Sequence, residues 1–361
     1  MRQSSPSLFA SFLLLAVAPG LVSGCRPGRP AASTSVTDSA PSPSISITAS
    51  PAIDVAFDDD GSPDGTTALL YLLDHPAVRL RSASISYGEA YPETYIQHVG
   101  RLIDAFGTAD VRLGAGPPAP VAGTNAFPEW MRDSADGFWG MPLPGPAQSY
   151  PFEEAGEMLA SVIGDSAEPL TVFISGPSTN LALALRLSPS IRNRIRAVYI
   201  MGGAVRVPGN ISGLLPDTDN SVAEWNVYAD PVAAQEVLSS GLNVVLVPLD
   251  ATNRVTVSRE DIAAWRDGGP AADLAADIYD SMMASWGTPS AAIWDLMTAA
   301  IMTGPSLCEY EKLALEVVTD EGSASGQTVI VAGGEPNATV CLKPDVERIK
   351  RTLVEVFSRG G

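Results

Sequence analysis

Short apolar segments with the composition of buried β-strands alternate with helical segments along most of this chain. Strands linked by helices run mostly parallel, because the helix returns the chain to the same end of the sheet, and such sheets are covered on both faces. Six strands are predicted, at residues 53–57, 78–87, 111–113, 170–174, 197–201 and 244–249. The sequence therefore predicts an α/β fold with a Rossmann-like, mostly parallel central sheet flanked by helices.

The segments between and after these strands complete the pattern. Helices are predicted at residues 66–73, 93–106, 152–163, 180–187, 232–238, near 258–267, 271–286 and 290–302, and at 345–357. Residues 114–150 are rich in Pro and Gly and read as a long loop, and residues 314–342 read as two or three antiparallel strands. In such sheets ligands bind beyond the carboxyl ends of the strands, so the polar residues that follow each strand are the functional candidates.

The first residues have the features of a bacterial export signal. Arg2 precedes an apolar run at residues 9–18 that is too short to span a bilayer. Small residues then lead into Cys25, which resembles the site at which bacterial lipoproteins are cleaved and lipidated. We expect a signal peptide at 1–24, a flexible tether at 25–51 and one domain at 52–361. The protein would then be exported and lipid-anchored to a bacterial cell membrane, on its periplasmic or cell-surface side; an ordinary secretory signal is the alternative.

The charge and the rare residue types exclude several classes of function. The chain has 22 Lys and Arg against 41 Asp and Glu, a formal net charge of −19, which argues against nucleic acid as a partner. With only two histidines, His75 and His98, a three-histidine metal site is excluded and a histidine-based triad is disfavoured. Export would permit a disulfide between Cys308 and Cys341, but the sequence leaves the pairing open.

Four carboxylates lie within seven residues directly after the first predicted strand. Asp58, Asp59, Asp60 and Asp64 repel one another, and a hard cation, which prefers carboxylate oxygen, would offset that repulsion. If the strand continues, Asp58 and Asp60 project to the same side, and the turn at 61–63 could return Asp64 beside them. The alternative is a solvated acidic turn in which Asp64 caps the following helix.

One enzyme class compatible with this cluster is the haloacid-dehalogenase-like phosphatases. Asp58 would then be the nucleophile and Asp60 the general acid, with Mg²⁺ as cofactor. Such enzymes also use a basic residue in mid-chain and a late acidic pair. Here the three lysines all lie near the C-terminus, and no late Asp-Asp follows a strand.

Six segments in chain order resemble a different family, the inosine-uridine-preferring nucleoside hydrolases. The first has the spacing of the family's Asp-x-Asp-x-Gly-x-Asp-Asp, and the others resemble its Thr-Gly-Pro-Leu-Thr-Asn, Met-Gly-Gly, Ala-Glu-Phe-Asn and later segments. They occupy residues 58–65, 175–182, 201–204 with 208–210, 223–226 with 230–231, 248–252 and 294–295. The resemblance covers about residues 52–357 and implies the nucleoside hydrolase fold.

The resemblance implies a Ca²⁺ ion at the strand ends that holds the ribose hydroxyls. Asp60 would be a calcium ligand and the general base that activates water, since a carboxylate beside a metal-bound water can take its proton. Asp295 would be a second ligand, and Ser175 would contribute its backbone carbonyl. The residues implied to bind the sugar are Asp64, Asn210, Glu224 and Asn226, with Asn220 as an alternative to Asn210. Asp58 would support the metal ligands from behind.

Simpler interpretations exist for some of these residues. Asn226 could cap the helix that begins near Asp230, and Glu224 could be an exposed loop acid. Asp295 has no comfortable alternative, because it lies within an apolar helix and a buried carboxylate needs a partner.

The chain departs from the family pattern at three positions. Gly65 replaces the second acid of the family's adjacent pair, normally a bidentate calcium ligand. Glu89 follows the second strand where the family has Asn, and we expect it to supply the missing oxygens unless it is a surface acid. Trp294 replaces the family's helical His, a candidate acid for the leaving base, and could instead stack on the base.

The long loop offers a substitute for that missing His. Residues 127–140 contain Trp130 and Trp139 for aromatic contacts and Asp133 and Asp136 as replacement acids; the alternative is a hydrophobic surface turn.

The expected activity is Ca²⁺-dependent hydrolysis of the N-glycosidic bond of ribonucleosides to free base and ribose. The rival is a ribose- or nucleoside-binding protein that lost catalysis through Gly65 and Trp294. The base preference, and whether the chain forms a homo-oligomer, are left open by the sequence.

Overall fold

The computed structural model describes residues 52–107, 110–215, 218–266 and 268–359. The predicted signal peptide and tether, with Cys25, lie outside these residues. The strands are β1 Ile53–Asp59, β2 Val78–Ile85, β3 Arg112–Ala115, β4 Glu153–Glu154, β5 Leu170–Ile174, β6 Ile195–Met201, β7 Val244–Val247, β8 Thr256–Ser258, β9 Ser290–Ala292, β10 Cys308–Leu313, β11 Leu315–Val317, β12 Thr328–Ile330 and β13 Ala338–Pro344. The helices are α1 Pro63–Asp74, α2 Pro92–Phe106, α3 Glu129–Asp136, α4 Ala155–Asp165, α5 Thr179–Leu187, α6 Trp225–Ala229, α7 Pro231–Leu238, α8 Leu249–Thr252, α9 Arg259–Ala263, α10 Pro270–Trp286, α11 Trp294–Thr303 and α12 Val346–Phe357.

Nine strands form the central sheet, in the order β10-β13-β7-β6-β5-β1-β2-β3-β4. Every neighbouring pair in it is parallel except β10 with β13. The predicted mostly parallel sheet is therefore confirmed. Two small antiparallel pairs, β11 with β12 and β8 with β9, lie outside it.

Side-chain alternation along β1 divides the core into two layers. Val55 and Phe57 pack on one face with apolar residues of α1, α2, α10, α11 and α12, whereas Ala56 packs on the other face with residues of α4, α5 and α7. The central strands are buried on both faces, which explains their almost continuous apolar sequences. Within the described residues, no helix is both long enough and apolar enough to cross a bilayer.

Four predicted segments differ from the structure. The helix predicted at 290–302 begins only at Trp294, because residues 290–292 form β9 and pair with β8. The loop at 114–150 contains α3 and a short 3₁₀ turn, Phe138–Gly140, because Phe138 and Ala135 bury their side chains in the core. The helix predicted from residue 152 begins only at Ala155, since residues 153–154 pair with β3 at the sheet edge. In the region of antiparallel strands, β13 instead joins the central sheet, parallel to β7 and antiparallel to β10.

The strand order reverses beside β1, which lies between β5 and β2. Such a reversal opens a crevice at the carboxyl ends of the two diverging strands. Asp59 ends β1 and Ser175 directly follows β5, so the acidic cluster and the second motif meet at this crevice.

Candidate active site

The turn from β1 into α1 is built by Gly61 and Ser62. Gly61 has a φ of +87°, a left-handed conformation that favours glycine. Ser62 is the N-cap of α1, and its Oγ accepts a hydrogen bond of 2.9 Å from the Gly65 amide. The alternative of a solvated turn capped by Asp64 is therefore wrong: Asp64 lies inside the first turn of α1 and is buried.

Asp60 is buried against two glycines. A Cβ atom at Gly88 would lie 2.4 Å from the Asp60 Cβ, and one at Gly176 would lie 2.7 Å from it. The Asp60 Oδ2 accepts a 3.3 Å hydrogen bond from the Glu89 amide, whereas its Oδ1 is buried and has no hydrogen-bond partner in the part of the chain that the structure describes. The loops after β1, β2 and β5 thus enclose this carboxylate and leave one oxygen uncommitted.

Asp295, in the first turn of α11, reaches the same crevice from the far end of the sequence. Its amide donates a 3.1 Å hydrogen bond to the Asp64 Oδ2, and its Oδ2 accepts one of 3.1 Å from the Ser62 Oγ. Its Oδ1, like that of Asp60, is buried and unpartnered. Asp295, for which the sequence offered no alternative to a ligand role, therefore faces the acidic cluster.

Asp58 and Ser175 hold the strand ends together. The Asp58 Oδ1 accepts hydrogen bonds from the Ser84 Oγ at 2.6 Å and the Asn180 Nδ2 at 2.8 Å. The Ser175 amide donates to the Asp58 carbonyl at 2.8 Å. Asp58 thus joins β1, β2 and α5 beneath the crevice.

Glu224 and Asn226 are also oriented by hydrogen bonds. Glu224 is the N-cap of α6; its carboxylate accepts from the amides of Asn226, Val227 and Gly203. The Asn226 Nδ2 donates to the carbonyls of Met201 and Ser175, at 3.1 and 3.4 Å. Glu224 is therefore a buried helix cap and not an exposed acid.

Asn226 does not cap the next helix, because Asp230 caps α7 itself through the Ala233 amide. The two rival asparagines also differ. Asn220 is buried, and its side chain bonds the Ser325 carbonyl and two nearby amides, whereas the half-buried Asn210 accepts from the Trp225 amide at the start of α6.

The positions that depart from the family pattern surround the same crevice. Glu89 is only partly exposed, and its interactions with the charges of Asp64 and Asp59 place it among the acids. Trp294 is partly buried at the start of α11, against Leu249 and the edge of the Trp286 ring.

The 127–140 loop packs mainly on α2. The Asp136 Oδ1 accepts a 3.1 Å hydrogen bond from the Tyr91 amide, and its carbonyl lies 2.7 Å from the His98 Nε2. Asp133 and Trp130 are exposed, while Trp139 packs on Phe138 and Tyr95. Asp133 thus lies on the surface of this loop, whereas Asp136 anchors the loop to the start of α2.

Burial and mutual repulsion disfavour the charged forms of these acids. Burial raises the pKa of Asp58 and of Asp59 to about 7. The pKa values of Asp60, Glu89 and Asp295 are raised well above their ordinary range, first by burial and then by the neighbouring carboxylates. A positive charge in the crevice would remove this penalty.

The donor atoms at the crevice suit a hard cation. Carboxylate and carbonyl oxygens are the ligands that Ca²⁺ takes, six to eight at a time. Among the described residues, no group of three or more His, Cys, Asp or Glu side chains is arranged so that it could hold a metal ion. The unpartnered Oδ1 atoms of Asp60 and Asp295 nevertheless leave two buried acceptors for such an ion.

Three contributors to the crevice received no individual role from the sequence. Asp59 lies on β1 between the two acids of the motif, and alternation assigned it to the opposite side. Ser62 and Asn180 each contact an acid that is more than one hundred residues away in the sequence. Ser62 bonds Asp295, and Asn180 bonds Asp58. The N-cap signature of Ser-Pro before a helix could have identified Ser62, but its second contact depends on the fold.

Comparison with known proteins agrees with this geometry. The profile of the inosine-uridine preferring nucleoside hydrolase family matches residues 55–351. The pyrimidine-specific ribonucleoside hydrolase RihA of Klebsiella pneumoniae subsp. pneumoniae is 31% identical over 322 residues, covering 84% of this chain and 98% of that protein. The inosine-uridine preferring nucleoside hydrolase of Bacillus anthracis superposes with a TM-score of 0.71 at 25% identity, covering 85% of this chain and 99% of that chain. A plant nucleoside hydrolase has the same fold, with a TM-score of 0.75 at 23% identity, covering 85% and 99% of the two chains.

The fold and these matches define the protein as a nucleoside hydrolase, a hydrolase of the glycosidase type. The chain belongs to the inosine-uridine preferring nucleoside hydrolase family. The resemblance of the six sequence segments is confirmed, and ribonucleoside hydrolysis is the activity that the family and the relatives support.

Proposed function

We propose that the protein hydrolyses the N-glycosidic bond of ribonucleosides in a Ca²⁺-dependent reaction, with Asp60 as the general base. The observation that carries this proposal is the convergence of Asp60 and Asp295 on one crevice. Each has a buried carboxylate oxygen that no group among the described residues satisfies. An unpartnered buried carboxylate is costly, so its retention favours a function that uses it.

Four groups would hold the ion: the carboxylates of Asp60, Asp295 and Glu89 and the backbone carbonyl of Ser175. When bound, Ca²⁺ would supply positive charge that makes a nearby water more acidic and attracts the ribose hydroxyls. Asn226 donates weakly to the Ser175 carbonyl, and this contact orients the carbonyl at the end of β5.

Each group of residues would have its own role in the reaction. Asp60 takes a proton from the attacking water, the water oxygen bonds the anomeric carbon, and the carbon–nitrogen bond breaks with its electron pair leaving on the base. Asp64, Asn210, Glu224 and Asn226 would bind the ribose, with Asp58 positioning the end of β1. Trp294 would provide an apolar surface for the base.

Release of ribose from a panel of nucleosides tests the proposal. The panel includes purine and pyrimidine nucleosides and nicotinamide riboside, because RihA is named as pyrimidine-specific and the Bacillus anthracis protein as inosine-uridine preferring. We expect turnover that a chelator abolishes and Ca²⁺ restores. Asp60→Asn and Asp295→Asn should each lose tight Ca²⁺ binding in calorimetry, whereas Asp230→Asn, a buried acid that bonds Thr179, should retain it.

Two other outcomes would contradict parts of this proposal. Ca²⁺ binding with no turnover on any riboside would favour a ribose- or nucleoside-binding protein. Unchanged Ca²⁺ affinity in both the Asp60 and the Asp295 variants would remove the metal assignment.

We further propose that the protein is exported and lipid-anchored through Cys25. The apolar run at 9–18 and the small residues before Cys25 support this location. In a bacterial host the full chain should partition into detergent and carry a lipidated Cys25 by mass spectrometry, whereas Cys25→Ser should not be lipidated. An unmodified wild-type Cys25 would contradict the anchor.

A further inference from the structure

Asp59 is a buried acid that lies between Asp58 and Asp60 in the sequence of the acidic cluster. It is the last residue of β1 and is 1% exposed. Its Oδ1 accepts a 2.7 Å hydrogen bond from the Ser175 Oγ, and its Oδ2 accepts one of 3.0 Å from the Gly61 amide. These two bonds fix the carboxylate between the end of β5 and the start of α1.

The same carboxylate occupies the space in front of Gly65. A Cβ atom at Gly65 would lie 1.9 Å from the Asp59 Oδ1 and 2.6 Å from its Cγ, so the two positions cannot both carry a side chain without movement. Gly65 is where the chain lacks the second acid of the motif. The missing carboxylate is therefore replaced in space by one that comes from β1 instead of α1.

The surroundings of Asp59 point to a bound cation rather than to a purely structural acid. Its charge interacts with those of Asp60, Asp64 and Asp295. Two of these neighbours, Asp60 and Asp295, each keep a buried oxygen without a partner. No Lys or Arg hydrogen-bonds to Asp59 among the described residues, so no side-chain cation of that kind compensates the cluster there.

We propose that Asp59 is a ligand of the cation and that the lack of a side chain at Gly65 leaves space for the Asp59 carboxylate. The ligand carboxylate thus comes from position 59, six residues before the position at which the family has its acid, but it lies at the same place in the crevice. This inference rests on the proposed Ca²⁺-dependent function. It predicts that Ca²⁺ binding requires a carboxylate at position 59 or at position 65, and that the crevice has no room for carboxylates at both positions.

Calorimetric titration with CaCl₂ alone tests the exchange without using activity. We expect Asp59→Asn, which keeps the shape of the side chain, to lower Ca²⁺ affinity at least tenfold. Asp59→Ala should lower it similarly, and Asp59→Ala combined with Gly65→Asp should recover most of it. Gly65→Asp alone should lower the melting temperature, because the new side chain overlaps the Asp59 carboxylate. Asp230→Asn is the control for removing a buried acid outside the crevice.

Thermal melting and far-UV circular dichroism confirm that each variant is folded before titration. Wild-type affinity in Asp59→Asn, with affinity lost in Asp60→Asn, would overturn this inference and leave the proposed function intact. A double variant that binds no better than Asp59→Ala would also overturn it. A wild-type protein that binds no Ca²⁺ would overturn both the inference and the metal dependence of the proposed function.

Discussion

At the scale of single residues, close backbone approach positions the proposed base. A Cβ atom at Gly88 would lie 2.4 Å from both the Cβ and the Oδ2 of Asp60, so Gly88→Ala must displace that carboxylate. A displacement of about 1 Å at a reacting group can cost about 10²-fold in rate. We therefore expect Gly88→Ala to lower kcat for ribose release by about that factor while the protein remains folded.

Gly164→Ala is the matched control for that substitution. Gly164 lies in α4, and a Cβ there would meet only the Ile191 side chain at 3.9 Å. This variant should keep wild-type kcat and gain a little helix stability, about 0.5–1 kcal/mol. Equal kcat in the Gly88 variant and in its control would contradict the positioning role of Gly88.

Asp74 offers a pH-dependent prediction away from the crevice. It is the last residue of α1, where a negative charge faces the negative end of the helix dipole, and its Oδ2 is buried with no hydrogen-bond partner among the described residues. Burial raises its pKa from 3.8 to about 6. The folded state therefore favours the protonated form, and the ionised carboxylate destabilises the protein above about pH 6 but not below about pH 4.

Asp74→Asn should accordingly stabilise the protein at pH 7. The side chain is only partly buried, so solvent screens the effect and we expect about 1 kcal/mol. The gain in melting temperature over wild type should shrink as the pH falls from 6 to 4. A gain that is constant across that range would show that the ionisation of Asp74 is not its cause.

At the scale of elements, none of the helices and loops that the structure describes brings an evident proton donor to the leaving base. α11 begins with Trp294, and the 127–140 loop uses Asp136 to bond the Tyr91 amide. General-acid catalysis typically contributes about 10²–10⁴-fold, so its absence should appear as a dependence on the leaving group. We expect p-nitrophenyl riboside and nicotinamide riboside to react faster than inosine or uridine by about that factor.

The opposite result would identify a proton donor in the 127–140 loop. Similar rates on inosine and p-nitrophenyl riboside, with the inosine rate lost in Asp133→Asn or Asp136→Asn, would mean that the loop closes and protonates the base. Trp294→His should raise the inosine rate if the missing donor limits the reaction.

At the scale of the whole molecule, a disulfide secures the antiparallel edge of the central sheet. Cys308 on β10 and Cys341 on β13 are joined, which answers the question that the sequence left open. Their separation of 33 residues corresponds to about 3–4 kcal/mol of loop-closure entropy removed from the unfolded chain. Among the described strands β10 pairs only with β13, so the disulfide adds a covalent link to the one pairing that holds this edge strand.

Replacing both cysteines with alanine should lower the free energy of unfolding by about 3–4 kcal/mol in urea. Wild-type protein under reducing conditions should show a similar loss, and the two treatments should not add. Free thiols at both positions in oxidised wild-type protein would contradict the link.

Many strands and helices of the fold were predictable because they depend on local sequence patterns. β5 was predicted with its observed bounds, and β1, α2 and α5 to within two residues, since apolar runs and their flanking turns mark them. The motif acids Asp60 and Asp295 and the Ser175 position were found in order along the chain. Residues 153–154 were misassigned to a helix because pairing at a sheet edge leaves little local signal.

Local sequence patterns were enough to predict most of the alternating strands and helices, and hence that polar residues after the strands would meet at one edge of a parallel sheet. Which side chains share the crevice could not be predicted in this way: Ser62 contacts Asp295 across 233 residues, and Asp59 fills the space in front of Gly65. The physical reason is that strand and helix periods are local properties of the chain. Contacts between side chains depend instead on how closely distant backbones approach, and that distance is settled only when the core packs.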